Sequence, residues 1–340
     1  MRAKYEVNPQ RACSEPSIVP LSPTAPIVGR QRELLLAMSH YEAAKGGCAR
    51  VVLVTGDPGI GKTRLLDEIA LRTAQDGAVV LRGAASEAEG MPPFLPFVEA
   101  LGRHIRVTQE DHLCRQVAAA PEVLVSLLPE LAVCLRERPV PLPFPPEQAR
   151  LRLYEALGTF LAGIGAPHAL VLTLDDLHWA DTASLDLLCH LARFRSNAHL
   201  LVLGAYRESE IDGNPALART LSELSRQRAL TTVVVGPLSV AEVGTLAGSR
   251  LGNSLSPAVN GLLHAHSEGN PFFAEELLES WIESGALVQE HQQWVAVAPL
   301  ELALPSSIVG ALHETIQIRV LALFRVCCGA ESDELTSTRI

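Results

Sequence analysis

Lysine is nearly absent from this chain of 340 residues: Lys4, Lys45 and Lys62 are the only three, so 28 − 3 = 25 of the basic residues are arginines. A GC-rich coding genome produces such a bias, which speaks to origin rather than function, yet it makes each lysine worth inspecting. Charge is sparse at 19%, and no stretch approaches the roughly 18 consecutive apolar residues that a membrane span requires. No apolar segment follows Arg2 and Lys4, so a secretory signal is not expected. Positive charge is in deficit, with a formal net charge of −10, which argues against a dedicated nucleic-acid surface. Neither nucleic acid nor membrane is an expected partner.

Metal-ligand spacing is missing as well. The seven cysteines (Cys13, Cys48, Cys114, Cys134, Cys189, Cys327, Cys328) are scattered, and none forms CxxC or a His-paired pattern. The simplest expectation is a set of reduced, buried thiols in a cytoplasmic protein, without structural zinc.

What is present is 48% apolar residues, enough to bury cores for about two domains. Residues 1–25 carry Pro9, Pro16, Pro20 and Pro23 with little periodicity and read as a flexible leader. Periodicity then predicts a helix over 31–45, a buried parallel strand over 50–55, a helix over 62–75 and a short strand over 78–81. The proline-rich stretch 91–146 brackets one or two helices. Beyond it, helices over 148–164, 184–194 and 215–226 alternate with strands over 169–174, 199–205 and 231–235. That alternation implies a three-layer α/β fold with a mostly parallel sheet. From Ser239 the texture changes to short helices and a small hairpin over 286–297, as expected of a helical lid over 238–300.

Gly56-Asp57-Pro58-Gly59-Ile60-Gly61-Lys62-Thr63 satisfies GxxxxGK[ST] between a predicted strand and a predicted helix, the context this phosphate loop requires. Its glycines let backbone N–H groups turn inward around an anion at a helix N-terminus. Lys62 is placed to neutralise β and γ phosphates, and the Thr63 hydroxyl to ligate Mg²⁺. The strand over 169–174 ends in Asp175-Asp176. There Asp175 would hold the Mg²⁺ hydration shell and Asp176 would polarise the attacking water; alone, the pair reads equally well as the cap of the next helix. Arg207, after the strand over 199–205, faces the same crevice as a γ-phosphate sensor or else is a surface charge. Arg30 lies near the nucleotide base or is a solvated charge ahead of the first helix.

Together, Val28-Gly29-Arg30, the loop extended by Arg64, the run Leu172–Asp181, Gly204-Ala205-Tyr206-Arg207 and Gly269-Asn270-Pro271-Phe272-Phe273-Ala274-Glu275-Glu276-Leu277 resemble the STAND class of AAA-related P-loop ATPases. More narrowly, they resemble the ATPase modules of large LuxR-type transcriptional regulators and of bacterial cyclase- or kinase-linked sensors. The resemblance covers about residues 26–316. It implies a P-loop ATPase domain over 26–237, ATP or ADP with Mg²⁺ as ligands, and nucleotide exchange or slow hydrolysis that controls lid closure and self-association. Val28, Arg30 and Pro271 would lie about the base, with Lys62, Asp176 and Arg207 acting on the γ-phosphate. Pro271 also suits the first turn of a helix; Trp179 reads as a packing aromatic and His178 as structural or solvated. The segment from Leu304 to Leu312 resembles the start of the family's winged helix, but 317–340 departs from the pattern, as a truncated or frame-shifted gene would. Sensor repeats and an effector are not expected within this chain. The competing functions are a nucleotide-binding scaffold without hydrolysis and a remodelling motor.

Overall fold

The computed structural model describes residues 27–88, 91–117, 120–134, 145–166, 168–194, 198–297 and 300. The leader over 1–25, Pro139, Pro141 and Pro143, Cys13, Cys327 and Cys328, and the winged-helix resemblance over 301–340 lie outside them. The chain opens with helix α1 (Gln31–Lys45), strand β1 (Arg50–Thr55), helix α2 (Lys62–Gln75) and strand β2 (Val79–Ala84). Four short helical pieces follow: α3 (Leu95–Val107), α4 (Glu110–Gln116), α5 (Pro121–Leu124) and a 3₁₀ turn over Pro129–Cys134. This corrects the expectation of one or two helices. Next come α6 (Pro146–Gly165), β3 (Leu170–Asp175), a 3₁₀ turn over Leu177–Trp179, α7 (Thr182–Arg193) and β4 (Leu200–Tyr206). A 3₁₀ turn over Glu208–Gly213, α8 (Pro215–Arg226) and β5 (Leu230–Val234) complete the α/β part.

Five strands form one sheet in the order β2-β3-β4-β1-β5, and every neighbouring pair is parallel. Parallel strands covered by helices on both faces are apolar without alternation, and all seven residues of β4 are buried. The two faces are distinct nonetheless. Val51 and Leu53 of β1 join the core beneath α3, α6, α7 and α8, whereas Val52 and Val54 pack with Leu34 and Tyr41 of α1 and Leu65 and Ile69 of α2. Side chains two apart share a face, so β1 serves both cores. Lys45 is structural: its Nζ donates to Asp76 at 2.7 Å and ties the end of α1 to the end of α2.

The helical region that follows contains α9 (Val240–Leu251), β6 (Ser254–Leu255), α10 (Pro257–Ser267), α11 (Pro271–Glu283), β7 (Leu287–Glu290) and β8 (Gln293–Ala296). Strands β7 and β8 make the expected hairpin, and β6 adds a parallel partner to β8 that sequence reading does not find. Val243, Leu263, Ala274, Leu277 and Trp281 form its own core. Ser239 and Glu242 cap α9 with a reciprocal box, which fixes the chain where it leaves the sheet.

The cysteine expectation needs correction. Cys114 and Cys134 are joined in a disulfide between α4 and the 3₁₀ turn at Pro129–Cys134. Cys48 is exposed, and only Cys189 is a free buried thiol among the described residues. No described helix is long and apolar enough to cross a membrane.

Candidate functional site

Strand β1 runs out at Thr55, and the chain must turn sharply to enter α2 at Lys62. Gly59 and Gly61 make that turn in the left-handed region, at φ 73° and 97°, where a Cβ is strained. At Gly59 a side chain would also collide: its Cβ would lie 2.9 Å from Phe272 Cβ and 3.0 Å from Asn270 Oδ1. Gly61 is the N-cap of α2 and offers no side-chain cap, so the first-turn N–H groups are left to an anion. Asp57 is exposed and Pro58 half-buried on the outer rim, while Ile60 is buried in the α2-side core. Arg64 stands half-buried in the first turn of α2.

Lys62 is 8% exposed, and its Nζ donates to the carbonyls of Gly56 and Asp57, both at 3.0 Å. Burial lowers its pKa, Arg207 lowers it further, and Asp175, Asp176 and Asp57 oppose them. An ammonium held only by neutral carbonyls in such a place gains from a phosphate charge. Directly below, Thr63 Oγ1 donates to Asp175 Oδ2 at 2.6 Å. The motif spacing and the strand register thus bring together two oxygen ligands suited to Mg²⁺, from positions 112 residues apart. The buried lysine, the glycine cradle and this oxygen pair fit a magnesium–nucleotide group.

Asp176 adopts a left-handed conformation at φ 53°, which turns its carboxylate away from the line of β3. Burial raises its pKa, Asp175 and Glu210 add to the rise, and Arg207 and Lys62 counter it. Arg207 follows β4 directly; its Nη1 pairs with Glu210 Oε1 at 2.8 Å, and its guanidinium lies 5.3 Å from the centre of the Trp179 ring. Trp179 therefore has a second role beside packing. His178 is wholly buried, which corrects the solvated alternative. Its Nε2 lies 3.7 Å from Asp176 Oδ1 and 3.5 Å from Glu210 Oε2. Burial, then Arg207 and Lys62, lower its pKa to about 4, so the ring is neutral near pH 7.

The helical region meets the loop through one turn. Asn270 caps α11 by accepting the Phe272 N–H at 3.1 Å, and its amide donates to the Pro58 carbonyl at 2.9 Å. The Phe272 N–H also points at the Gly59 carbonyl, 3.4 Å away. Pro271 occupies the first position of α11, and its Cγ would lie 3.8 Å from a Cβ on Gly61. Arg30 is 5% exposed rather than solvated, and its Nη2 donates to the Ile60 carbonyl at 3.2 Å. Its pKa is lowered by burial against the pull of Glu33 and Glu242. Val28, two residues earlier, packs on the core of the helical region. Residues 28–30 thus bridge the helical region and the phosphate loop.

Sequence reading did not single out Glu210 or the role of Asn270. Glu210 is three residues beyond Arg207, a spacing that one 3₁₀ turn brings together. Asn270 carries an N-cap signature, but its bond to Pro58 spans 212 residues and has no local signal.

A glycine loop joining a strand to a helix, with an acid at the end of a second parallel strand, defines a P-loop nucleotide-binding site. The chain belongs to the AAA ATPase domain family, which matches residues 26–203, more than half its length. Members of such P-loop ATPase families typically bind ATP or ADP with Mg²⁺. A curated relative, an uncharacterised protein of Rhizobium meliloti (strain 1021), is 25% identical over 205 residues. That match takes in 54% of this chain and only 19% of the longer relative. Among solved structures, a Walker-type ATPase of Pyrococcus abyssi is 12% identical, with 76% of this chain and 69% of that one covered at a TM-score of 0.46. A signal-transduction ATPase with numerous domains and a tetratricopeptide repeat sensor, from Pyrococcus horikoshii, is 18% identical. There the coverage is 75% of this chain and 31% of that one, at a TM-score of 0.43.

Proposed function

We propose that this chain is a nucleotide-controlled switch of the STAND type, which binds MgATP between the sheet and the helical lid and hydrolyses it slowly. The observation that carries the proposal is the hydrogen-bonded junction of Asn270 and Phe272 with Pro58 and Gly59. A loop that rearranges around phosphates must move or tighten that junction, so nucleotide state is felt by the lid. The division into an ATPase domain over 26–237 and a lid over 238–300 belongs to this reading. So do self-association through the ATPase domain, a cytoplasmic setting, and a regulatory role in signalling or transcription beside sensor and effector domains.

Thr63 and Asp175 would hold a magnesium ion, which would supply neutralisation of phosphate charge. Lys62 would leave its two carbonyls to meet the phosphates, and Asp176 would accept the hydrogen bond of the attacking water. Aspartate at 176 is one methylene shorter than the glutamate of fast AAA machines, which supports slow turnover. Val28, Arg30 and Pro271, clustered where lid and loop meet, are assigned to the base and ribose side.

Two substitutions separate binding from chemistry. Asp175→Asn is expected to weaken Mg²⁺-dependent binding, while Asp176→Asn leaves binding largely intact and suppresses single-turnover phosphate release by about 10²-fold or more. Parent-rate release by both variants would leave only a nucleotide-binding scaffold.

A further inference from the structure

We propose that Glu210 is a positioning residue that holds the Arg207 guanidinium away from the phosphate site until a triphosphate competes for it. The inference rests on the reading above, in which Arg207 meets the γ-phosphate. Arg207 is engaged by its own chain. Its Nη1 is 2.8 Å from Glu210 Oε1, with the two side chains 20% and 23% exposed, and its guanidinium lies against Trp179. A mostly buried, charge-assisted pair of this kind is stronger than an exposed one. Even so, Arg207 follows Tyr206, whose register partner is Thr55 at the entrance to the phosphate loop, and β4 lies beside β3, which ends in Asp175. The guanidinium is therefore stored beside the phosphate site.

Glu210 has a second neighbour. Its Oε2 is 3.5 Å from His178 Nε2, the same nitrogen that lies 3.7 Å from Asp176 Oδ1. Neither ring nitrogen of His178 has a hydrogen-bond partner among the described residues. A γ-phosphate carries more negative charge than one carboxylate and draws Arg207 over. Glu210, left half-buried and unpaired, then closes the short gap to the His178 N–H, because an orphaned buried carboxylate is costly. Movement of that ring changes the surroundings of Asp176, so arrival of the γ-phosphate is passed to the water-activating carboxylate. ADP lacks the γ-phosphate and leaves the Arg207–Glu210 pair closed. Opening the pair thus weighs against ATP affinity and not against ADP affinity.

The test is calorimetric titration of the full chain with MgATP and with MgADP, for the parent, Glu210→Gln, Arg207→Ala and the double variant. Glu210→Asp, which keeps the charge but shortens the reach, serves if the glutamine variant does not fold. Loosening the latch should tighten MgATP by about three- to tenfold while MgADP changes less than about twofold, and the gain should vanish without Arg207. If Arg207→Ala weakens MgATP selectively but neither Glu210 variant tightens it, the latch is wrong and the γ-phosphate reading stands. If Arg207→Ala leaves the ATP-to-ADP preference unchanged, the γ-phosphate reading fails and the latch falls with it.

Discussion

His178 shows how a single residue here is governed by what surrounds it rather than by its neighbours in sequence. Its ring is fully enclosed, tilted against Trp179 at 4.5 Å between ring centres, and two carboxylates stand just beyond hydrogen-bond reach. The pKa falls from 6.5 to about 4. Since the unfolded chain binds a proton that the folded chain refuses, stability is fully present above about pH 6.5 and is lost as pH falls towards 4. His178→Gln should therefore flatten the acid limb of stability between those pH values; urea unfolding of both proteins across that range checks it. An unchanged acid limb would mean that the ring titrates normally. None of this was legible from the run Leu177-His178-Trp179. By contrast, Lys62, Thr63 and Asp175 were legible, because loop spacing and a strand end are local signals that the parallel register then brings together. Arg30 sits between these cases: its position was visible, but its burial with Nη2 on the Ile60 carbonyl has no local signal in the sequence.

Among the elements, the agreement is best where periodicity is strong. Helices α1, α2 and α8 and strand β1 match their expected bounds, since each carries a helical-period or near-continuous apolar set ended by glycine or a polar turn. The stretch 91–134 fails for a physical reason. Helix α3 starts after Phe94, which is left-handed at φ 65° and whose N–H is accepted by Asp181 from 87 residues away. Prolines break the segment into short pieces: α3 packs on β2 and β3, while α4 and α5 pack on α6 and the 3₁₀ turn, to which the Cys114–Cys134 bridge ties α4. Strand β6, two residues long, exists only because β8 pairs with it. Helix α11 carries the testable junction. Asn270→Ala removes both its cap and the bond to Pro58, and should cost about 1 kcal/mol of stability. It should also shrink the stabilisation, and so the rise in melting temperature, that a fixed MgADP concentration gives; for the parent, mass action sets that stabilisation at about 2.7 kcal/mol at a hundredfold excess over Kd. Thermal unfolding with and without MgADP reads both effects; an undiminished nucleotide shift would show that the junction does not couple lid to loop.

At the scale of the molecule, the sheet order puts β1 between β4 and β5, so the ends of β3, β4 and β1 deliver Asp175, Arg207 and the phosphate loop to one crevice. The core of the helical region joins that crevice through Val28, Arg30 and Asn270. Leu277 and Leu278 are buried within the core of the helical region itself. The switch reading depends first on nucleotide binding at the loop, where Lys62 donates to the Gly56 and Asp57 carbonyls, whereas Lys45 is paired with Asp76. The most direct measurement is calorimetric titration of MgATP into the parent and Lys62→Ala. The substitution should weaken binding by at least about 2 kcal/mol, roughly thirtyfold, as expected for removing one partner of a charge-assisted contact. An unchanged dissociation constant would contradict a nucleotide held at this loop, and with it the switch.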